Sequence, residues 1–127
     1  MAYVTVYTAT QTLYMVNKVK YNNYSRKTTD YTLVLADDGI SIEMNSGSAN
    51  IVTVPGNDSV PFPIGTKIQI IQRGAGETSI APAVADAPTI NSLGVGVGNR
   101  TSAGRYAKMY LEKYDTNAWY LSGDLIA

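Results

Sequence analysis

The feature that most constrains this chain is the shortness of its apolar runs and the regularity with which turn residues interrupt them. Four runs follow one another between residues 31 and 76. Residues 31–36 (YTLVLA) are apolar and β-prone. Asp37-Asp38-Gly39 then breaks the run, because glycine supplies the positive φ that a tight turn needs. Ile40, Ile42 and Met44 alternate with Ser41 and Glu43, the period of two of a half-buried strand. Residues 51–54 make a third run, closed by Pro55-Gly56. Phe62 is flanked by Pro61 and Pro63, which cannot donate to a central ladder, so this stretch is expected to be a rim or crossover loop. Residues 67–73 make the fourth run, ended by Gly74-Ala75-Gly76. Four strands at near-regular spacing predict an all-β fold, a single antiparallel β-sandwich or barrel of jelly-roll-like form.

The rest of the chain continues the pattern. Residues 78–81 are expected to pair back on 67–73 through the Gly-Ala-Gly turn, and residues 89–91 to form another short strand. The clearest alternation lies at residues 105–114. Ala107, Met109 and Leu111 point one way; Tyr106, Lys108, Tyr110, Glu112 and Tyr114 point the other. Asp115-Thr116-Asn117 turns the chain, and Trp119 and Leu121 belong to the returning strand of a β-hairpin, with Trp119 read as a core residue. The face bearing Tyr106, Tyr110 and Tyr114 reads either as an amphipathic solvent surface or as a subunit interface, since tyrosine is enriched at interfaces.

Residues 1–29 differ from the remainder. They hold four of the ten basic residues (Lys18, Lys20, Arg26 and Lys27), none of the ten acidic ones, and Tyr3, Tyr7, Tyr14, Tyr21 and Tyr24, half of the tyrosines. Residues 22–29 read as a polar link into a main domain at 30–127. Two readings stand. The segment supplies the first one or two strands of the sandwich, or it is an extended attachment arm that adds a strand to a neighbour's sheet edge and docks on an acidic surface.

Composition narrows the function classes. A chain of 127 residues is one domain by length. Charged residues make up 16%, below the usual ~25%, and net charge is zero, which suits a protein covered over part of its surface by copies of itself or by an assembly. No apolar run approaches the ~20 residues of a membrane span, and the leading residues lack the pattern of a signal peptide. There is no cysteine and no histidine, which removes thiolate chemistry together with the commonest general base and metal ligand. Gly94-x-Gly96-x-Gly98 lacks the preceding buried strand and following helix of a dinucleotide loop, and its third glycine is one residue early. Asp37, Asp38 and Glu43 do not match a calcium loop. Glu43, Glu77 and Glu112 give no sign of converging as glycosidase carboxylates do. Neither a catalytic site, a cofactor nor a metal is expected. The basic residues of 1–29 are too few on a neutral chain to make a nucleic-acid footprint. Sequons at Asn23, Asn57 and Asn99 have no secretory signal to give them meaning.

Several of these segments carry a resemblance. The strand-turn start at 31–39, EMNS at 43–46, VPFPIGT at 60–66, the Gly-Ala-Gly turn and WYLSGDL at 119–125 resemble a β-module recurrent in bacteriophage virion proteins, seen in tail fibres and in other appendage or decoration proteins. The resemblance covers 31–127 and is weaker through 82–104. It implies a non-enzymatic structural protein resident in the virion, a homotrimer or higher cyclic assembly, and capsid or tail proteins as partners. Its motifs are structural, so no functional residue carries over from it. In longer fibres the module is a C-terminal part, whereas here about thirty residues precede it, which favours a capsid-bound or connector role over a receptor-reading fibre. The alternatives are a tail-fibre module that binds host-surface glycan through tyrosine and tryptophan, and a cell-wall hydrolase carried on the virion.

Overall fold

The computed structural model describes residues 23–94 and 96–126. The described residues form β1 (Asn23–Lys27), β2 (Tyr31–Thr32), β3 (Ile40–Met44), β4 (Asn50–Val54), β5 (Lys67–Gln72), β6 (Thr78–Pro82), β7 (Thr89–Ser92), β8 (Gly96–Val97), β9 (Arg100–Thr101), β10 (Lys108–Asp115) and β11 (Ala118–Gly123), with a 3-10 turn at Leu35–Asp37. The fold is all-β. One sheet has seven strands in the order β1-β3-β5-β10-β11-β7-β8, the other four in the order β2-β4-β6-β9.

Both sheets are mixed, which corrects the expectation of antiparallel pairing. β1, β3 and β5 run parallel in the larger sheet, and β2, β4 and β6 run parallel in the smaller one. The cause lies in the winding. From β1 to β6 each strand enters the sheet that its predecessor did not, so neighbours within a sheet are two elements apart and arrive pointing the same way. Parallel neighbours need a crossover, and here the crossover is itself a strand of the opposite sheet. Turn signals every few residues are common to this winding and to hairpins.

The coil is regular at its centre. The pairs from Ser41↔Gln69 to Met44↔Gln72, and those from Asn50↔Thr78 to Val54↔Pro82, share one spacing of 28 positions. The connecting turns stack in that same register. Gly76 N donates to Ser46 O at 2.9 Å, and Gly74 N to Met44 O at 3.1 Å. A Cβ on Gly76 would overlap the Ser48 carbonyl and lie 2.8 Å from its amide nitrogen; one on Gly74 would overlap the Ser46 carbonyl. Gly74-Ala75-Gly76 is therefore a contact between two backbone layers and not a hairpin turn. β6 does not pair back on β5: it lies between β4 and β9 in the other sheet.

Two further segments differ from expectation. The supposed link at 22–29 contains β1, which follows β3 residue by residue from Asn23↔Ile40 to Lys27↔Met44. A boundary at 29/30 falls after the first described strand of the sheet, which for these residues agrees with the reading of 1–29 as opening strands. Residues 31–36 extend only through Tyr31–Thr32 before the 3-10 turn, because the Asp37 carboxylate accepts from Val34 N and from the Tyr31 hydroxyl, each at 2.8 Å. Burial, with the Asp37 hydrogen bond and charge, pushes the Tyr31 pKa up to about 12.

The hairpin of β10 and β11 stands as expected, antiparallel with a two-residue turn at Thr116-Asn117. It sits between β5 and β7. Ala107, Met109, Leu111, Trp119 and Leu121 are buried. Lys113 joins them at 2% exposure, its Nζ donating to Asn57 Oδ1 at 2.6 Å and Phe62 O at 2.8 Å; burial lowers its pKa. The core is one cluster drawn from both sheets. Ile42, Met44, Ile68, Ile70, Met109, Leu111 and Trp119 come from the larger; Val52, Val54 and Ile80 come from the smaller. Phe62 closes it, its ring edge-on to Trp119 at 5.4 Å. That contact explains why a proline-flanked loop carries the chain's one phenylalanine.

Candidate functional site

The side of the seven-stranded sheet turned away from the core gathers most of the residues that sequence reasoning singled out and that are described. Strand alternation puts Ile42 and Met44 in the core and Ser41 and Glu43 on the other side, and register then carries three rows across the sheet. The first row runs Tyr24, Ser41, Gln69, Tyr110, Ser122. Ser41 Oγ donates to Gln69 Oε1 at 2.6 Å, and Gln69 Nε2 donates to the Tyr110 hydroxyl at 3.3 Å. The second row holds Arg26, Glu43 and Ile71, opposite Lys108. The third holds Lys67 and Glu112, an exposed ion pair at 3.4 Å, then Tyr120 and Asn91.

Glu43 is the electrostatic centre of the face. It is 5% exposed and is held from both flanks. Arg26 Nε and Nη2 donate to Oε1 at 3.0 and 2.8 Å, and Arg73 Nη1 donates to Oε2 at 3.3 Å. Burial raises its pKa, but the hydrogen bonds and charges of Arg26 and Arg73 outweigh that and hold the carboxyl below its usual range. The group is a structural anion, committed to joining β1, β3 and the end of β5.

Tyrosines crown this layer. Tyr24 is 60% exposed and Tyr120 52%. The rings of Tyr114 and Tyr120 stack at 4.0 Å with 18° between planes, and Asn91 Nδ2 donates to the Tyr114 hydroxyl at 2.6 Å. Tyr110 stands on the same face as these, as expected, but Tyr106 does not join them. It precedes β10 in a turn with φ 72°, the left-handed conformation that ends strand alternation, and its ring lies under Arg105. The arm residues divide likewise. Tyr24 and Arg26 are part of this face, Lys27 lies over the Tyr31 ring at 4.3 Å, and Tyr3, Tyr7, Tyr14, Lys18, Lys20 and Tyr21 fall outside the described residues.

Sequence reasoning missed Ser41, Gln69, Arg73, Asn91 and Tyr120 as members of the face. Tyr120 was within reach, since it alternates with Trp119 and Leu121. The others depend on which strands are neighbours, which a single period-two pattern does not encode.

The other weighed constellations come apart. Asp37 holds the 3-10 turn, Asp38 Oδ1 accepts from Lys67 N at 3.3 Å, and Glu43 is clamped by arginines, so the three acids serve three places. Among the described residues no group of three or more histidine, cysteine, aspartate or glutamate side chains comes together. Gly94, Gly96 and Gly98 each have positive φ; a strand, β7, does precede them, but Gly96 opens β8, Gly98 follows it, and the next element is β9 rather than a helix. No helix among the described residues is long and apolar enough to cross a membrane. Comparison with protein-family models, with curated proteins and with solved structures gives no match.

Proposed function

We propose that this chain is a non-enzymatic structural protein of a bacteriophage virion, a capsid-decoration or tail-connector component that acts through contacts of its β-domain. The observation that carries the reading is the aromatic face: Tyr24, Tyr110, Tyr114 and Tyr120 stand on one side of one sheet, over polar groups already satisfied by the fold. Such a surface supports association, because tyrosine brings large, rigid, amphipathic area, while the groups beneath it have their partners and are left with no chemistry to perform. In this reading the two sheets that share one core make a two-layered sandwich, copies associate as a homotrimer, and residues 1–22 with Tyr24 and Arg26 contribute the attachment to other virion proteins. A stable contact of this kind buries on the order of 1,600 Å².

Light scattering on the purified chain, and incorporation into particles, test this. The expected mass is three times the 13.7 kDa of the chain. Tyr24→Glu and Tyr120→Glu are expected to lower incorporation at least tenfold while the circular dichroism spectrum stays unchanged. A monomer that both variants leave equally competent to join particles would overturn the reading. The tyrosines of this face, unlike Tyr106 in its turn, lie on strands rather than around a loop rim, which favours assembly over a glycan-reading tip; specific binding on a glycan array would reverse that preference.

A further inference from the structure

A second region of the molecule holds a buried cation with no ion-pair partner among the described residues. Arg100 is 7% exposed. It pairs with Ile80 across β9 and β6, and Ile80 is fully buried, so the arginine leaves the smaller sheet on the core side. Its Nε and Nη2 donate to Ile126 O at 3.2 and 2.6 Å, and Nη1 donates to Leu93 O at 3.4 Å. Those partners are neutral carbonyls. The ion pairs among the described residues are Arg26–Glu43, Lys67–Glu112 and Arg73–Glu43, and none involves Arg100. Three of the five N–H groups of a guanidinium are thus used, and two have no partner among the described residues. A buried charge lacking a counter-charge is costly, and the planar fork is shaped for a carboxylate.

Arg100 does not face solid core. It lines a cleft of about 320 Å³ with Leu93, Gly94, Leu121, Ser122, Gly123 and Leu125, within the range of small-molecule sites. Leucines give it an apolar wall. Gly123 adds no side chain to it; its φ is 114°, and a Cβ there would overlap the Lys108 carbonyl.

We infer that this cleft binds a small carboxylate carried on an aliphatic body, the carboxylate on Arg100 and the aliphatic part against Leu93, Leu121 and Leu125. The inference is independent of the proposed place in a virion.

Titration of the 15N-labelled full chain with sodium hexanoate tests it, with hexanamide as the neutral analogue and sodium acetate as the analogue without a tail. Saturable shifts are expected at the Arg100 Nε–H and at the amides of Leu121 and Leu125, with affinity at least tenfold weaker for hexanamide and for acetate. Arg100→Gln is expected to abolish the response. Because Arg100 also holds Ile126, Leu93→Glu serves as the second variant: Leu93 is 96% exposed, so the fold is kept while a repelling charge stands at the rim, and hexanoate affinity is expected to fall at least tenfold. Equal affinity for hexanoate and hexanamide, shifts lying outside the cleft, or no response up to about 20 mM, beyond any useful affinity, would each overturn the inference.

Discussion

Replacing Gly76 by alanine tests the stacked winding directly. A methyl group there would run into the carbonyl of Ser48 and sit 2.8 Å from its amide nitrogen. Both obstacles are backbone, so no side-chain rotation relieves them, and one turn must lift off the next. Gly76 does not have positive φ, so the alanine backbone itself is unstrained, and loss of unfolded-chain entropy would by itself stabilise the variant by about 0.4–1 kcal/mol. Overpacking of this kind costs about 1–3 kcal/mol and occasionally more. With backbone on both sides the upper end applies, leaving a net loss of about 2 kcal/mol. For a chain of this length that lowers Tm by about 6–10 °C. Gly47→Ala is the matched control. Gly47 lies in the facing turn, yet a Cβ there meets nothing within 4 Å, so it is expected to be neutral or slightly stabilising. Calorimetry and urea midpoints on the two variants separate them. Should Gly76→Ala lie within about 0.5 kcal/mol of the parent, the spacing of 28 between turns and the parallel pairing built on it are wrong.

Three further predictions follow from the buried ionisable groups. The folded pKa of Glu43 lies below its ordinary 4.5, so its stabilisation is fully present above that pH and is lost as pH falls through the folded value; Glu43→Gln should cost about 1–3 kcal/mol at neutral pH and flatten the acid limb of a stability profile. Tyr31 has its pKa raised from 10.0 to about 12, so its contribution is complete below pH 10 and disappears between 10 and 12; Tyr31→Phe, measured by urea unfolding across that range, should lose about 1 kcal/mol at neutral pH and the alkaline decline with it. Lys113 has its pKa depressed from 10.5 by burial, so the unfolded chain binds the extra proton and stability should rise with pH between the depressed value and 10.5. Lys113→Met should remove that rise, and urea midpoints at a series of alkaline pH values would show whether it does.

The legibility of the sequence varied with the distance of the interactions involved. Alternation at residues 105–114 disclosed the hairpin, because its partner strand is two residues away and turn chemistry joins them. Ile42, Met44 and Trp119 were readable as core from period and size alone. Parallel pairing was not readable. It rests on Ile42 meeting Ile70 and Val52 meeting Ile80, and the two stacked stretches, SIEMNSGSANIVTV at 41–54 and QIIQRGAGETSIAP at 69–82, share little beyond that isoleucine and a run of small residues at the turn. Those small residues were visible as a turn, but their second meaning, close approach of two backbones, needs the neighbour to be known. Lys113 went unread for another reason. Its alternation places it with Met109 and Leu111, and only the loop carbonyl of Phe62 and the amide of Asn57 make such a lysine tolerable.

The position of the C-terminal hairpin has a consequence for biogenesis. β10 and β11 separate β5 from β7, so the ribosome delivers the piece that completes the middle of the larger sheet after the two strands it joins. Earlier strands can coil as they emerge, yet among the described strands β7 has no long partner beside it until residues 118–123 arrive. A nascent chain halted before that point would display two open strand edges, the kind of surface that quality-control machinery and unwanted neighbours both seize. The gap shuts only once residues 108–123 have emerged.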